Sequence, residues 1–221
     1  MKRYLSLFAA WVTLFLWAAS AHAILIDLGG GMIYDQDLNI TWLADANTAG
    51  APMTWADANS WALNLVYGGY DDWRLPTTLQ PDSSCSFQSL GGTFSLGNSC
   101  TGSEMGHLFY NELGGTAGSS ILSSSDPDLA LFTNIQADGY WSGTEFDTSN
   151  AWYFLMDNGD QNFGHKSDEF PLYAWAVRDG GATDPSPSPS QVPEPGTLLL
   201  MGSGIAGLIG FGRKKKETAG E

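Results

Sequence analysis

Apolar runs at the two ends of this chain confine its foldable part to the stretch between them. Met1-Lys2-Arg3 opens onto an apolar core, Tyr4 to Ala19, and Ala21-His22-Ala23 places small residues where a signal peptidase reads. Residues 1–23 therefore read as a secretory signal peptide, handled by the Sec machinery and signal peptidase and cut before Ile24. An uncleaved anchor helix is the alternative. At the other end, Thr197 to Gly212 is apolar and glycine-rich, and Arg213, Lys214, Lys215 and Lys216 follow at once as a basic stop. Sixteen residues make a helix of ~24 Å against a hydrocarbon core of ~30 Å. No polar face interrupts the run at helical spacing, and cations at its end can snorkel to cytoplasmic headgroups. Gly202, Ala206 and Gly210 add a small-residue stripe suited to close packing in lipid. The expected precursor has a C-terminal transmembrane helix, its body outside the cytoplasm and a basic tail inside.

Just before that apolar run stands Val192-Pro193-Glu194-Pro195-Gly196. The Pro193, Glu194, Pro195 triplet, the apolar helix and the basic cluster occur in order over 192–216, and together they resemble the PEP-CTERM sorting signal. That resemblance implies recognition by an exosortase-type transpeptidase, a transient inner-membrane anchor, cleavage near the motif and release to the cell surface or extracellular matrix. A permanent anchor is the other reading. Residues 181–191 alternate proline with serine and read as an extended, solvated linker.

The remaining stretch, Ile24 to Gly180, is about 157 residues, the size of one domain. Its only Lys or Arg residues are Arg74, Lys166 and Arg178, whereas all of the chain's 24 acidic residues except Asp184, Glu194, Glu217 and Glu221 fall within it. So negative a field repels polyanions, which excludes nucleic acid as a partner and favours cations. Cys85 and Cys100 are the chain's 2 cysteines. In an oxidising compartment such a pair reads as a disulfide, and closing a loop of ~15 residues stabilises by about 3 kcal/mol. Catalytic or metal-binding thiols are the sharper alternative, but no histidine or acidic constellation accompanies them at ligand spacing.

Along the body, Ile24-Leu25-Ile26 and Met32-Ile33-Tyr34 read as strands around Gly29-Gly30-Gly31, followed by Asn39 to Leu43. Trp55, Ala58, Trp61, Ala62 and Leu65 recur at helical spacing, with Thr54 and Asp57 as an imperfect capping box and Gly68-Gly69 as the stop. A second helix is predicted from Ser103, with Met105, Leu108, Phe109 and Leu113 on one face and Gly114-Gly115 ending it. Gly114 to Asp128 reads as a loop. Tyr140 to Ser142, Ala151 to Met156 and Leu172 to Val177 read as strands, the middle one apolar throughout and so buried on both faces. Most of Trp42, Trp55, Trp61, Trp73, Trp141, Trp152 and Trp175 fall inside these patterns and are expected in the core.

Four strings then line up in order: Met53 to Ala58, Gly69-Tyr70-Asp71-Asp72-Trp73-Arg74-Leu75-Pro76-Thr77, Gly139 to Thr144, and Ala174-Trp175-Ala176-Val177-Arg178. Over most of 24–180 the chain resembles the bacterial Lcl C-terminal-like domain. The resemblance implies an α+β, C-type-lectin-like fold: two helices around a small twisted antiparallel sheet, with long loops on one side. No Glu-Pro-Asn or Gln-Pro-Asp appears, so the sugar-binding calcium motif of C-type lectins is not carried over. Arg74 is expected to bond a carboxylate, and its Trp-Arg-Leu-Pro-Thr string reads as structural.

Candidate chemistry is sparse. Asp157, Asn158 and Asp160 form the best local oxygen cluster and are the candidate calcium ligands, although Asn-Gly also signals a plain hairpin turn. Asp126-Pro127-Asp128 is weaker still and reads as a solvated loop. His107 and His165 lack a ligand partner at usable spacing, and His107 is expected at the surface. No nucleophile elbow, phosphate loop or His-Glu-x-x-His occurs, so no catalytic residue is assigned and an enzyme is not expected. Two readings remain. One is a displayed, non-catalytic binding or adhesion module for a glycan such as exopolysaccharide or for a surface protein, with or without calcium. The other is a structural matrix component without a specific small ligand. Exposure of aromatics in the Phe87 to Phe94 loop, or around Phe146 and Phe163, separates them.

Overall fold

The computed structural model describes residues 24–167 and 170–181. The signal peptide, the linker beyond Gly181, the sorting triplet, the expected membrane helix and the basic stop lie outside the described residues, among which no helix is long and apolar enough to cross a membrane.

The chain starts with a meander. β1 (Leu25–Gly29), β2 (Met32–Asp35) and β3 (Ile40–Leu43) pair antiparallel in sequence order. Gly29, Gly30 and Gly31 all take positive φ in the first turn, a conformation that only glycine adopts freely. β9 (Val177–Asp179) returns from the end of the domain to pair with β3, so the first and last strands share one sheet ordered β1-β2-β3-β9. A second sheet holds β6 (Gly139–Glu145), β7 (Asn150–Leu155) and β8 (Gln161–His165) in sequence order. The short hairpin of β4 (Phe87–Gln88) and β5 (Ser95–Leu96) forms a third. The domain is α+β as expected, but its strands divide among three antiparallel sheets.

α1 spans Trp55–Leu63, and Thr54 Oγ1 accepts from the Asp57 amide at 3.2 Å while donating to its carboxylate at 2.8 Å. The helix stops well before Gly68-Gly69. Asn64 closes it, its side-chain amide donating to the Ser60 carbonyl at 2.7 Å. Ala58 and Ala62 pack against Leu75, Trp141, Ala151, Leu172 and Ala174, joining α1 to the β6–β8 sheet.

The second helix begins where expected but is short. α2 covers Glu104–His107, and the chain then widens into a π turn over Leu108–Glu112, closed by Leu113 N donating to Leu108 O at 2.9 Å. Ser103 does not cap it with its side chain, because its hydroxyl accepts from the Leu79 amide at 3.0 Å. The Gly114 to Asp128 segment is also more regular than a loop. It carries 3-10 turns at Ile121–Ser123 and Pro127–Leu131, with Ile121 fully buried. Asp126 caps the second of these turns, accepting from the Asp128 amide at 3.0 Å.

β8 carries no strand pattern of its own, because Gln161–His165 is mostly polar; it is a strand because the β7 hairpin sets its register. Conversely, Leu172 to Ala176 is not one. It bridges Met53 at Leu172 and Tyr140 at Tyr173 before β9 begins, so its backbone serves several partners in turn.

Trp42, Trp73, Trp141, Trp152 and Trp175 are at most 2% exposed, and Trp55 and Trp61 are half-buried. Trp42 and Trp175 meet edge to face at 5.2 Å. Each buried indole also needs a partner for its N–H. Trp141 donates to Met53 O at 2.9 Å and Trp175 to Leu43 O at 2.8 Å, so these rings tie separate segments as well as filling space.

Candidate functional site

The Trp73-Arg74-Leu75-Pro76-Thr77 string becomes a clamp. Arg74 makes a two-pronged pair with Glu104, 2.8 Å at each contact, and also reaches Asp179 on β9. Glu104 in turn accepts from the Thr77 amide at 2.7 Å. Arg178 pairs with Asp72 at 2.8 and 3.0 Å and lies over the Tyr70 ring. Arg178 holds the Asp72 carboxyl below its usual pKa. Both arginines thus join the β9 sheet to the segment between α1 and α2, and Arg74 ties that segment to the start of α2 as well, in the structural role expected of its string.

The disulfide between Cys85 and Cys100 is formed. It staples the β4–β5 hairpin, which docks on the β7–β8 sheet: Gly97 and Gln161 exchange backbone bonds at 2.8 and 2.9 Å. Under this contact Phe146 and Phe163 stack at 3.8 Å, with Phe94 and Trp152 edge-on to the pair. These phenylalanines are half-buried on one another. The other side of the hairpin faces outward, with Phe87 at 49% and Leu90 fully exposed. The aromatic criterion is therefore split: the cluster is consumed by packing, and the hairpin tip is free.

Asp157, Asn158 and Asp160 lie at the β7–β8 hairpin, a four-residue loop rather than a two-residue Asn-Gly turn, since Leu155 N still pairs with Asp160 O at 2.9 Å. Gly159 takes φ +77°, and a Cβ there would come within 2.4 Å of Tyr110 Oη. Asn158 Oδ1 accepts from the Asp160 amide at 2.9 Å, and the Asn158 carbonyl accepts from Asn98 and from Gly118. Burial pushes the Asp160 carboxyl up in pKa; Asn162 opposes this and Asp157 adds to it. The turn's oxygens are thus largely engaged in holding the hairpin, with the exposed Asp157 carboxylate left toward solvent. The segment that meets this turn through the Gly118 amide also lines a polar hollow of about 220 Å³, with Thr116, Ser119, Ser120 and Ser123 on its wall.

A further cluster was not visible in the sequence. His107 is not at the surface: its side chain is only 13% exposed, and Nε2 lies 2.9 Å from Glu112 Oε1. Asp35, at the end of β2, completes a group of three with these two residues. Burial raises the Asp35 carboxyl above its usual pKa, and the Leu38 amide opposes this. Burial alone would depress His107, but Glu112, Asp35 and Asp37 together raise it. His107 and Glu112 are five residues apart, a spacing that an α-helix would turn to different faces. The π turn brings them together, and no spacing rule could have supplied Asp35.

Asp82 also lies beside Cys85 and Cys100. There both thiols are spent in the disulfide, and the carboxylate accepts from Ser84 and the Gly102 amide at 2.9 Å each.

Against known families, the Lcl C-terminal domain model matches residues 31–178 and the PEP-CTERM protein-sorting motif matches 191–216. No curated protein matches the chain.

Proposed function

The chain belongs to the Lcl C-terminal domain family and carries a PEP-CTERM sorting motif, and from that premise we propose that it is a non-catalytic adhesion module displayed at the cell surface or in the extracellular matrix. The motif marks the chain for export and for processing by an exosortase. The finer steps belong to the proposal: a transient C-terminal membrane helix, cleavage near Pro193-Glu194-Pro195, and a lectin-like use of the loop face.

One observation carries the binding role. Phe87 and Leu90 project from a disulfide-stapled hairpin on a strongly acidic domain. Exposed apolar side chains lose water on contact, and a rigid hairpin loses little entropy when it docks. The ligand class we favour is a neutral glycan of the surrounding matrix, which the acidic field does not repel and which polar side chains such as those lining the 114–125 hollow can hydrogen-bond. Calcium at Asp157, Asn158 and Asp160 would give sugar hydroxyls a second point of contact. The second reading, a structural matrix component, draws support from the mutual packing of Phe94, Phe146 and Phe163.

The test is retention of the purified exported protein on exopolysaccharide from the producing cells, with calcium and with chelator. Retention that Phe87→Ser and Leu90→Ser abolish is the expected result, and loss with chelator would bring in the Asp157 turn. Equal elution of protein and variants, with no retention in either condition, would overturn the binding role and leave the structural one.

A further inference from the structure

We propose that Asp35, His107 and Glu112 hold a divalent first-row transition-metal ion, Zn²⁺ foremost. The three come from two separate stretches of the chain. Asp35 ends β2, His107 ends α2, and Glu112 ends the π turn that follows. One ring nitrogen and one oxygen from each carboxylate lie within 4.8 Å of one another.

Two buried acids without full partners point to the ion. Asp35 is 0% exposed and Glu112 is 2% exposed. Asp35 Oδ1 accepts from the Asp37 and Leu38 amides at 3.1 and 3.0 Å, which aims the carboxylate, but Oδ2 makes no hydrogen bond. Glu112 Oε1 faces His107, and its Oε2 is likewise unpartnered. The Trp42 indole N–H approaches Asp35 without completing a hydrogen bond of good geometry. Leaving buried carboxylate oxygens unmatched is costly. The described Lys and Arg residues offer no relief: Arg74, Arg178 and Lys166 pair with Glu104, Asp72 and Glu145. A divalent cation would neutralise both acids at once.

The donor set selects the metal class. One imidazole and two carboxylates match Zn²⁺ sites with three protein ligands and an open fourth position. An imidazole donor argues against Ca²⁺ and Mg²⁺, which take oxygen ligands. The outer layer is also in place, because Asn111 contacts His107 Nδ1 at 2.9 Å. In the metal-free arrangement the Asn111 amide donates to Nδ1, so Nε2 carries the proton shared with Glu112. Metal at Nε2 requires the other tautomer: the Nε2 proton leaves to solvent, Nδ1 takes one from solvent, and a half-turn of the Asn111 amide lets its oxygen accept from Nδ1–H. The ion would tie β2 to the α2–π segment.

The test uses the full-length protein, stripped with chelator and then given Zn²⁺ or Mn²⁺ alone. Metal content after gel filtration should reach one ion per chain, with a higher melting temperature. Co²⁺ in its place should give the visible absorption of a low-coordinate site. Glu112→Gln and His107→Gln should weaken binding by roughly a hundredfold or more. His107→Gln, at the least buried position, keeps the test readable if the Glu112 variant fails to fold. A folded protein that takes up no Zn²⁺ or Mn²⁺ would overturn the site, as would variants that bind as well as the parent. The latter would assign the metal to surface carboxylates or His165.

Discussion

Opening the Cys85–Cys100 disulfide tests how the outward-facing hairpin is held. The bond closes a loop of sequence separation 15, which in the chain-entropy model amounts to about 3 kcal/mol at 25 °C. Other ties also hold this loop in the folded protein. The Gln80 side chain contacts the Ser95 backbone at 3.0 and 2.8 Å, and Gln88 donates to the Asp82 and Cys85 carbonyls. These bonds belong to the native state and break on unfolding, so they do not diminish the entropy difference between the oxidised and reduced unfolded chains. With a urea slope of ~2 kcal/mol/M, the midpoint should fall by roughly 1.5 M. Two perturbations separate the cross-link from packing at the fully buried Cys100: reduction of the parent, and the double variant Cys85→Ala/Cys100→Ala. Both should lower the urea midpoint by similar amounts, followed by tryptophan fluorescence with and without reductant. Domain stabilities of about 5–15 kcal/mol leave room for such a loss without unfolding. A midpoint shift below about 0.5 M in both would refute the reasoning. It would mean that the hairpin's contacts with Gln161 and the phenylalanine cluster persist in the unfolded ensemble.

Other outcomes follow from individual residues. Gly159→Ala should destabilise by about 1–3 kcal/mol, since a side chain there meets both positive φ and the Tyr110 hydroxyl; urea titration measures it, and an unchanged midpoint would argue against the close approach. Glu104→Gln should lower the melting temperature, because it weakens both arms of the Arg74 fork, whereas the same change at exposed Asp157 should not. Stability should also fall at both pH extremes. Burial raises the Tyr140 hydroxyl above its ordinary pKa, so its contribution is complete below about pH 10 and is lost as pH rises further. Arg178 depresses Asp72, so that contribution is present above about pH 4 and is lost as pH falls through the folded value. Midpoints measured from pH 3 to 11 should therefore decline at both ends, and removal of the acid limb by Asp72→Asn would assign it.

Much of the architecture could be read from residue order alone, because it depends on local physics. The glycine turn at 29–31, the Thr54 cap, the tryptophan core and the cysteine pair in an exported body each follow from conformational preference, burial or redox compartment. The sorting motif is likewise a linear signal, legible because it is matched over a short contiguous stretch. Tertiary structure decided what distant segments share. It joined β9 to β3, chose Glu104 and Asp179 for Arg74, and turned a polar stretch into β8 by lending it β7's register. It also split the phenylalanines, packing Phe94 against Phe146 and Phe163 while leaving Phe87 outside. The largest difference lies at His107. Sequence spacing assumes a regular helix, whereas the π turn rotates Glu112 onto its face and the meander delivers Asp35 from far along the chain. A linear pattern records neighbours along the backbone; the charges a buried side chain meets are set by folding in space.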